Sequence, residues 1–100
     1  MGVQAKTPSW LVITPDSVTV TLTKASEANG IQVDKLRLRA PTVRDLRNAQ
    51  ATGGDNDEQR ELNLFASLAE VGTKDLEGLT LKDYTRLQTG YFRLVQDDEF

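Results

Sequence analysis

The sequence contains no cysteine and no histidine. Without cysteine there can be no disulfide, no thiolate metal site and no sulfur nucleophile. Without histidine, the commonest metal ligand and the side chain that titrates near neutral pH are both missing, and every Ser-His-Asp arrangement with them. Aromatic residues make up only 6% of the chain, so any core must be built mainly from leucine and valine. The longest apolar run is Trp10-Leu11-Val12-Ile13, far short of a signal-peptide core or a membrane span. Lys6 stands where a myristoylation pattern needs Ser or Thr. From these absences we expect a soluble, intracellular protein that is not an enzyme, holds no cofactor or metal and does not engage a membrane.

What is present suffices for one small domain. The 100 residues include 13 Leu, 8 Val, 2 Ile and 3 Phe, enough for a folded core. A chain of this length buries a modest share of its surface, so its stability is expected to be modest or assisted by self-association into a homo-oligomer. Residues 1–16, with Pro8 and Pro15 bracketing the short apolar patch, read as an extension. Trp10 is then either part of a loose tail or the anchor of an arm that docks on the core or on a neighbour. Residues 17–96 read as the domain, and residues 97–100 as an acidic tail that frays.

The fold class expected is α+β, a β-hairpin with a bulge followed by about three helices. Val18, Val20 and Leu22 alternate with Thr19, Thr21 and Thr23, the pattern of a half-buried strand. Residues 24–30 read as a turn ending in Asn29-Gly30, a pair that tolerates positive φ. The returning strand changes phase: Ile31 and Val33 share one face, Leu36 and Leu38 the other. A bulge near Asp34-Lys35 would restore the register and set Lys35, Arg37 and Arg39 on the outer face.

Thr42 and Asp45 after Pro41 form a helix-capping signature, and Gly53-Gly54 stops that helix. A second helix starts near residues 55–57, carries Leu62, Phe65, Ala66 and Ala69 on one stripe, and is expected to end at Gly72. Residues 73–76 add a turn. Thr80 and Asp83 repeat the cap before a last helix with Tyr84, Leu87, Gln88, Tyr91, Leu94 and Val95 at spacings of three and four. The likeness of Thr42-Val43-Arg44-Asp45-Leu46 to Thr80-Leu81-Lys82-Asp83-Tyr84 reads as two well-capped helices rather than a repeat. Gly90 within the last helix implies a close helix contact.

Carboxylates are the remaining acid–base candidates, but Glu58, Glu61, Glu70, Asp75, Glu77 and Asp83 fall at helix starts or on polar faces, where they serve the helix dipole and solvation. Asp55-Asn56-Asp57-Glu58 resembles the opening of a calcium loop but lacks the later ligands. Gly53-Gly54 is not followed by the Gly-Lys-Ser/Thr of a phosphate-binding loop. Charge is uneven: residues 1–50 hold 7 basic and 4 acidic side chains, residues 51–100 hold 5 and 11. The basic cluster of Lys35, Arg37, Arg39, Arg44 and Arg47 has no interleaved aromatic, and the chain is acidic overall at -3, so nucleic acid is not the expected partner. Binding through apolar surface is what remains, with Phe92 off the main stripe and Trp10 and Phe100 outside the expected elements.

The order of these features resembles the phage tail assembly chaperones of Mu-like and P2-like contractile-tailed phages and prophages. Three segments carry the resemblance. They are Leu36-Arg37-Leu38-Arg39-Ala40-Pro41-Thr42-Val43-Arg44-Asp45-Leu46, the acidic helix at residues 58–71, and Leu79-Thr80-Leu81-Lys82-Asp83-Tyr84-Thr85-Arg86-Leu87-Gln88. The match covers residues 18–95, leaving residues 1–16 outside it. The resemblance implies a non-enzymatic protein of the host cytoplasm. It would bind the helix-rich tape measure protein, keep it soluble while the tail tube assembles, and be absent from the mature virion. It also implies, as a further partner, a longer form of the chain made by ribosomal frameshifting. The residues expected to touch the tape measure protein are Tyr84, Tyr91, Phe92 and Val95, with Arg37, Arg39 and Arg44 for acidic stretches. The competing readings are a minor structural tail component and a small DNA-binding regulator.

Overall fold

The computed structural model describes residues 7–96; the fraying expected of residues 97–100 lies outside them. Three strands come first: β1 (Leu11–Thr14), β2 (Ser17–Ala28) and β3 (Ile31–Arg39). Four helices follow: α1 (Val43–Gly53), α2 (Asp57–Ala69), α3 (Thr73–Glu77) and α4 (Leu81–Val95). The class is α+β, with one strand more than the expected hairpin. The antiparallel sheet has the order β1-β2-β3.

The reading of residues 1–16 as an extension is corrected at residues 11–14. Leu11 pairs with Val20 and Thr14 with Ser17 across the turn at Pro15-Asp16. Pro15 lies in the turn, where its missing N–H costs the ladder nothing. Thr14 Oγ1 donates to Asp16 Oδ1 at 3.0 Å, which fastens the turn. Leu11 is buried in the core, and Trp10 docks on its own chain. The Trp10 carbonyl accepts the Thr21 N–H at 2.8 Å, and the Arg86 guanidinium lies 4.7 Å from its ring centroid.

At the other end of β2 the turn shrinks to Asn29-Gly30, with φ of 56° and 80°. Two consecutive positive values are those of a type I′ hairpin, whose twist matches that of the strands. Residues 24–28 are therefore strand rather than turn. The phase change in β3 has its expected place, but the surplus lies on the opposite strand. Thr21 pairs with Lys35 and Ser26 with Val33, so residues 22–25 of β2 face Asp34 alone. The strand with excess chain is the one that bows out.

α4 grips the bow. Thr80 caps the helix by accepting the Asp83 N–H at 3.2 Å. The Asp83 carboxylate then leaves the helix and accepts the Thr23 N–H at 2.7 Å and the Lys24 N–H at 3.2 Å. Arg86, one turn on, donates to the Thr21 carbonyl at 2.7 Å. The Thr23 and Lys24 amides, which the bulge takes out of the ladder, thus find their partners on α4. Gly90 continues the approach. A Cβ there would sit 3.1 Å from Val20 Cγ2 and 3.2 Å from Leu11 Cδ1, so the close contact is with the sheet rather than another helix.

α2 and α4 cover one face of the sheet, and α1 packs on α2. The core between them contains Val18, Val20, Leu38, Phe65, Leu68, Leu76 and Leu87, all fully buried. α2 stops earlier than Gly72, because Glu70 takes the left-handed conformation at φ 60° and closes the helix with its N–H on Ala66 and Ser67. Gly72 instead caps α3.

Candidate partner-binding surfaces

The residues expected to meet a partner fall into two groups. Phe92 is 61% exposed and Val95 46% exposed, both on the side of α4 away from the sheet. Leu81, 81% exposed, was not among the expected site residues. At 3.6 residues per turn it lies within about 60° of Phe92 and Val95 around the helix axis. That spacing was the signal available for it.

Tyr84 and Tyr91 are half-buried and flank Phe65, with ring centroids 5.7 and 5.1 Å away. Both rings brace the join of α4 to α2. Tyr84 Oη donates to Glu61 Oε1 at 2.9 Å, and Gln88 Nε2 donates to the same oxygen at 3.0 Å. Burial, then this bond to Glu61, raises the Tyr84 pKa, so the phenol stays a neutral donor. Burial also raises that of Tyr91, with the Glu61 charge adding to it.

The arginines separate in the same way. Arg39 forms a forked pair with Asp45, at 2.7 Å from Nη1 to Oδ2 and 3.0 Å from Nη2 to Oδ1. The pair ties the end of β3 to the first turn of α1, where Asp45 Oδ2 also accepts the Thr42 N–H at 2.8 Å. Hydrogen bonding from Arg39, then from the Thr42 backbone, holds the Asp45 carboxyl well below the usual carboxylate range. The same bond raises Arg39, so its charge is already engaged. Arg37, beside Thr19 on the sheet face away from the helices, and Arg44 on α1 are exposed and form no ion pair among the described residues.

Between α2, α3 and the start of α4 runs a groove of about 430 Å³. Leu62, Leu76, Leu79 and Leu81 give it an apolar lining, and Glu58, Glu61 and Glu77 supply its charge. In the sequence each of these carboxylates reads as a helix-dipole partner or a solvated polar-face group. Their convergence depends on how α2 and α3 meet α4, which no local pattern reveals.

Among the described residues, no group of three or more Asp or Glu is placed to hold a metal ion, and no helix is long and apolar enough to cross a membrane. What the surface offers is large apolar side chains set among carboxylates and guanidinium groups, the equipment of a domain that holds other polypeptides. The comparison with protein families agrees in kind. The family model for phage tail assembly chaperone proteins, E, or 41 or 14, matches residues 19–96, and the chain belongs to that family. No curated protein and no solved structure matches it.

Proposed function

We propose that the chain is a non-enzymatic chaperone that binds the tape measure protein of its phage or prophage and keeps it soluble until the tail tube has assembled around it. The observation that carries this reading, beside the family, is the exposure of Phe92 and Val95 on the outer side of α4. A partner helix that exposes an apolar stripe before assembly can lay that stripe along such a face. Phe92 and Val95 make the contact, and Tyr84 and Tyr91 support them from the side of α2. Arg37 and Arg44 receive acidic stretches of the partner, while Arg39 acts indirectly through its pair with Asp45. The protein works in the host cytoplasm and leaves before the virion is complete.

The test is co-expression with the tape measure protein encoded by the same phage or prophage, reading the soluble fraction and the material retained on a tagged chain. Soluble tape measure protein is expected with the native chain. It should be lost with a Phe92→Ser, Val95→Ser double variant whose unfolding midpoint is unchanged. Insoluble tape measure protein in the presence of the folded native chain overturns the reading, and recovery of the chain from intact particles would point to a structural tail component.

A further inference from the structure

β3 is an edge of the sheet, and among the described residues β2 is the strand it pairs with. The ladder sets the direction of its outer backbone groups. Thr21 donates its N–H to the Trp10 carbonyl, so Thr21 and Thr19 face β1, while Val18 and Val20, in the alternate positions, face β3. Lys35 and Arg37, opposite Thr21 and Thr19, therefore turn their amides and carbonyls to the free edge. No other described backbone group bonds them there. Beside this edge runs a groove of about 340 Å³ between β3 and the end of α2, with Val33, Leu36, Ala69 and Val71 as its apolar lining. Two bonds tie the hairpin to the far wall of the groove. The Asn29 N–H donates to Asp75 Oδ2 at 3.2 Å, and Asn29 Nδ2 donates to the Glu70 carbonyl at 3.1 Å.

We propose that the free edge of β3 takes a fourth strand from another protein, an extended segment in which apolar residues alternate with Asp or Glu. Side chains directly opposite each other on neighbouring strands share one face of the sheet. Residues of the incoming segment opposite Lys35 and Arg37 thus lie on the outer face, where both cations are exposed and carboxylates suit them. The residues between lie on the helix side, beside Leu36 and over Ala69 and Val71, where apolar side chains fit. Glu70, the acidic member of that lining, disfavours a carboxylate on this side. Backbone hydrogen bonds supply the affinity of such an added strand, and the two faces supply its selectivity. A second copy is the poorer occupant. Antiparallel pairing of two β3 edges sets Lys35 and Arg37 of one copy against the same cations of the other, and like charges directly opposite destabilise a sheet. The edge lies apart from Phe92 and Val95, so the inference does not rest on the tape measure reading.

Titration of the full chain with the end-blocked peptide Glu-Val-Glu-Leu-Glu-Val tests it, read by fluorescence anisotropy of the labelled peptide and by NMR of the isotope-labelled chain. Six residues in strand conformation span about 20 Å, the length of β3 from Ile31 to Arg37. Saturable binding is expected, with amide shifts centred on residues 32–38 and 68–71 and slowed hydrogen exchange at the Lys35 and Arg37 amides. Lys35→Glu with Arg37→Glu should weaken binding by about tenfold or more, and should instead favour a peptide with lysine in place of glutamate. Arg47→Glu with Lys82→Glu, the same change of charge away from this edge, serves as the control and should leave binding intact. A peptide N-methylated at the amides that face β3 keeps every side chain but loses those donors, and should bind about tenfold more weakly or worse. Absence of saturable binding overturns the proposal. So does undiminished binding of the N-methylated peptide, or a set of shifts centred on another surface. Protection of the Lys35 and Arg37 amides that grows with chain concentration in the absence of peptide makes a second copy the occupant, and overturns it as well. Tape measure solubility is measured separately, so either proposal can fail alone.

Discussion

Thr42 and Thr80 open α1 and α4 in the same way, each accepting the backbone N–H of an aspartate three residues on, at 3.2 Å in both cases. The aspartate side chains then part. Asp45 turns back over its own helix start and takes Arg39, forming a partly exposed clasp that spans six residues of chain. Asp83 is fully buried and reaches β2, sixty residues away in sequence, where it receives two amides from the bulge. One local signal therefore has two uses. At α1 it finishes a helix end and a strand exit; at α4 it fastens a helix to a sheet. The difference comes from what lies beside each helix start, and that is a property of the fold rather than of the motif.

The comparison is broken most severely at Asp83. Asp83→Ala leaves the Thr23 and Lys24 amides without partners inside the protein, and should lower stability by about 3 kcal/mol in urea denaturation. Asp83→Asn, which keeps one good acceptor, should cost clearly less. The acid limb of stability sharpens the same point. Burial pushes the Asp83 carboxyl up, but the bonds from Thr23, Lys24 and Thr80 outweigh it and hold its pKa below the ordinary 3.8. A carboxyl depressed in the folded state contributes stability above its unfolded value, and that contribution is lost as pH falls through the folded value. The unfolding midpoint should therefore drop below about pH 4, and Asp83→Asn should flatten that drop.

Arg86→Ala removes the donor to the Thr21 carbonyl and the cation over Trp10, an expected loss of about 1–2 kcal/mol accompanied by a change in tryptophan fluorescence. Thr42→Ala and Thr80→Ala should each cost about 1 kcal/mol, because the caps alone are equivalent. If Thr80→Ala costs much more, the cap and the Asp83 anchor are coupled. Asp45→Ala should have the smallest effect, below that of either threonine variant and shrinking with added salt, since its main partner is a guanidinium near solvent.

Local features of the sequence were legible because local physics decides them. The alternation through Val18, Val20 and Leu22, the Asn29-Gly30 turn and both threonine caps stand where their patterns put them. β1 was missed because four residues between two prolines carry apolar side chains toward both faces, and only pairing with β2 makes them a strand. The phase of β3 revealed that a bulge exists but not which strand holds it; Asp83 and Arg86 make the bow on β2 satisfiable. Among the candidate contact residues, the exposure of Phe92 was readable from its angle on α4. The acidic groove was not, since three helices must be placed before Glu58, Glu61 and Glu77 converge.

The Asp83 anchor also bears on how the protein is made. The ribosome delivers the sheet first and α4 last among these elements, so the amides of Thr23 and Lys24 wait for a carboxylate about sixty residues downstream. Val18 and Val20, fully buried in the finished fold, gain the cover of α4 only once that helix has been made. Contacts of such sequence separation close late and slowly. A protein of a family that attends the assembly of others therefore passes through an unguarded interval of its own, and completing α4 ends it.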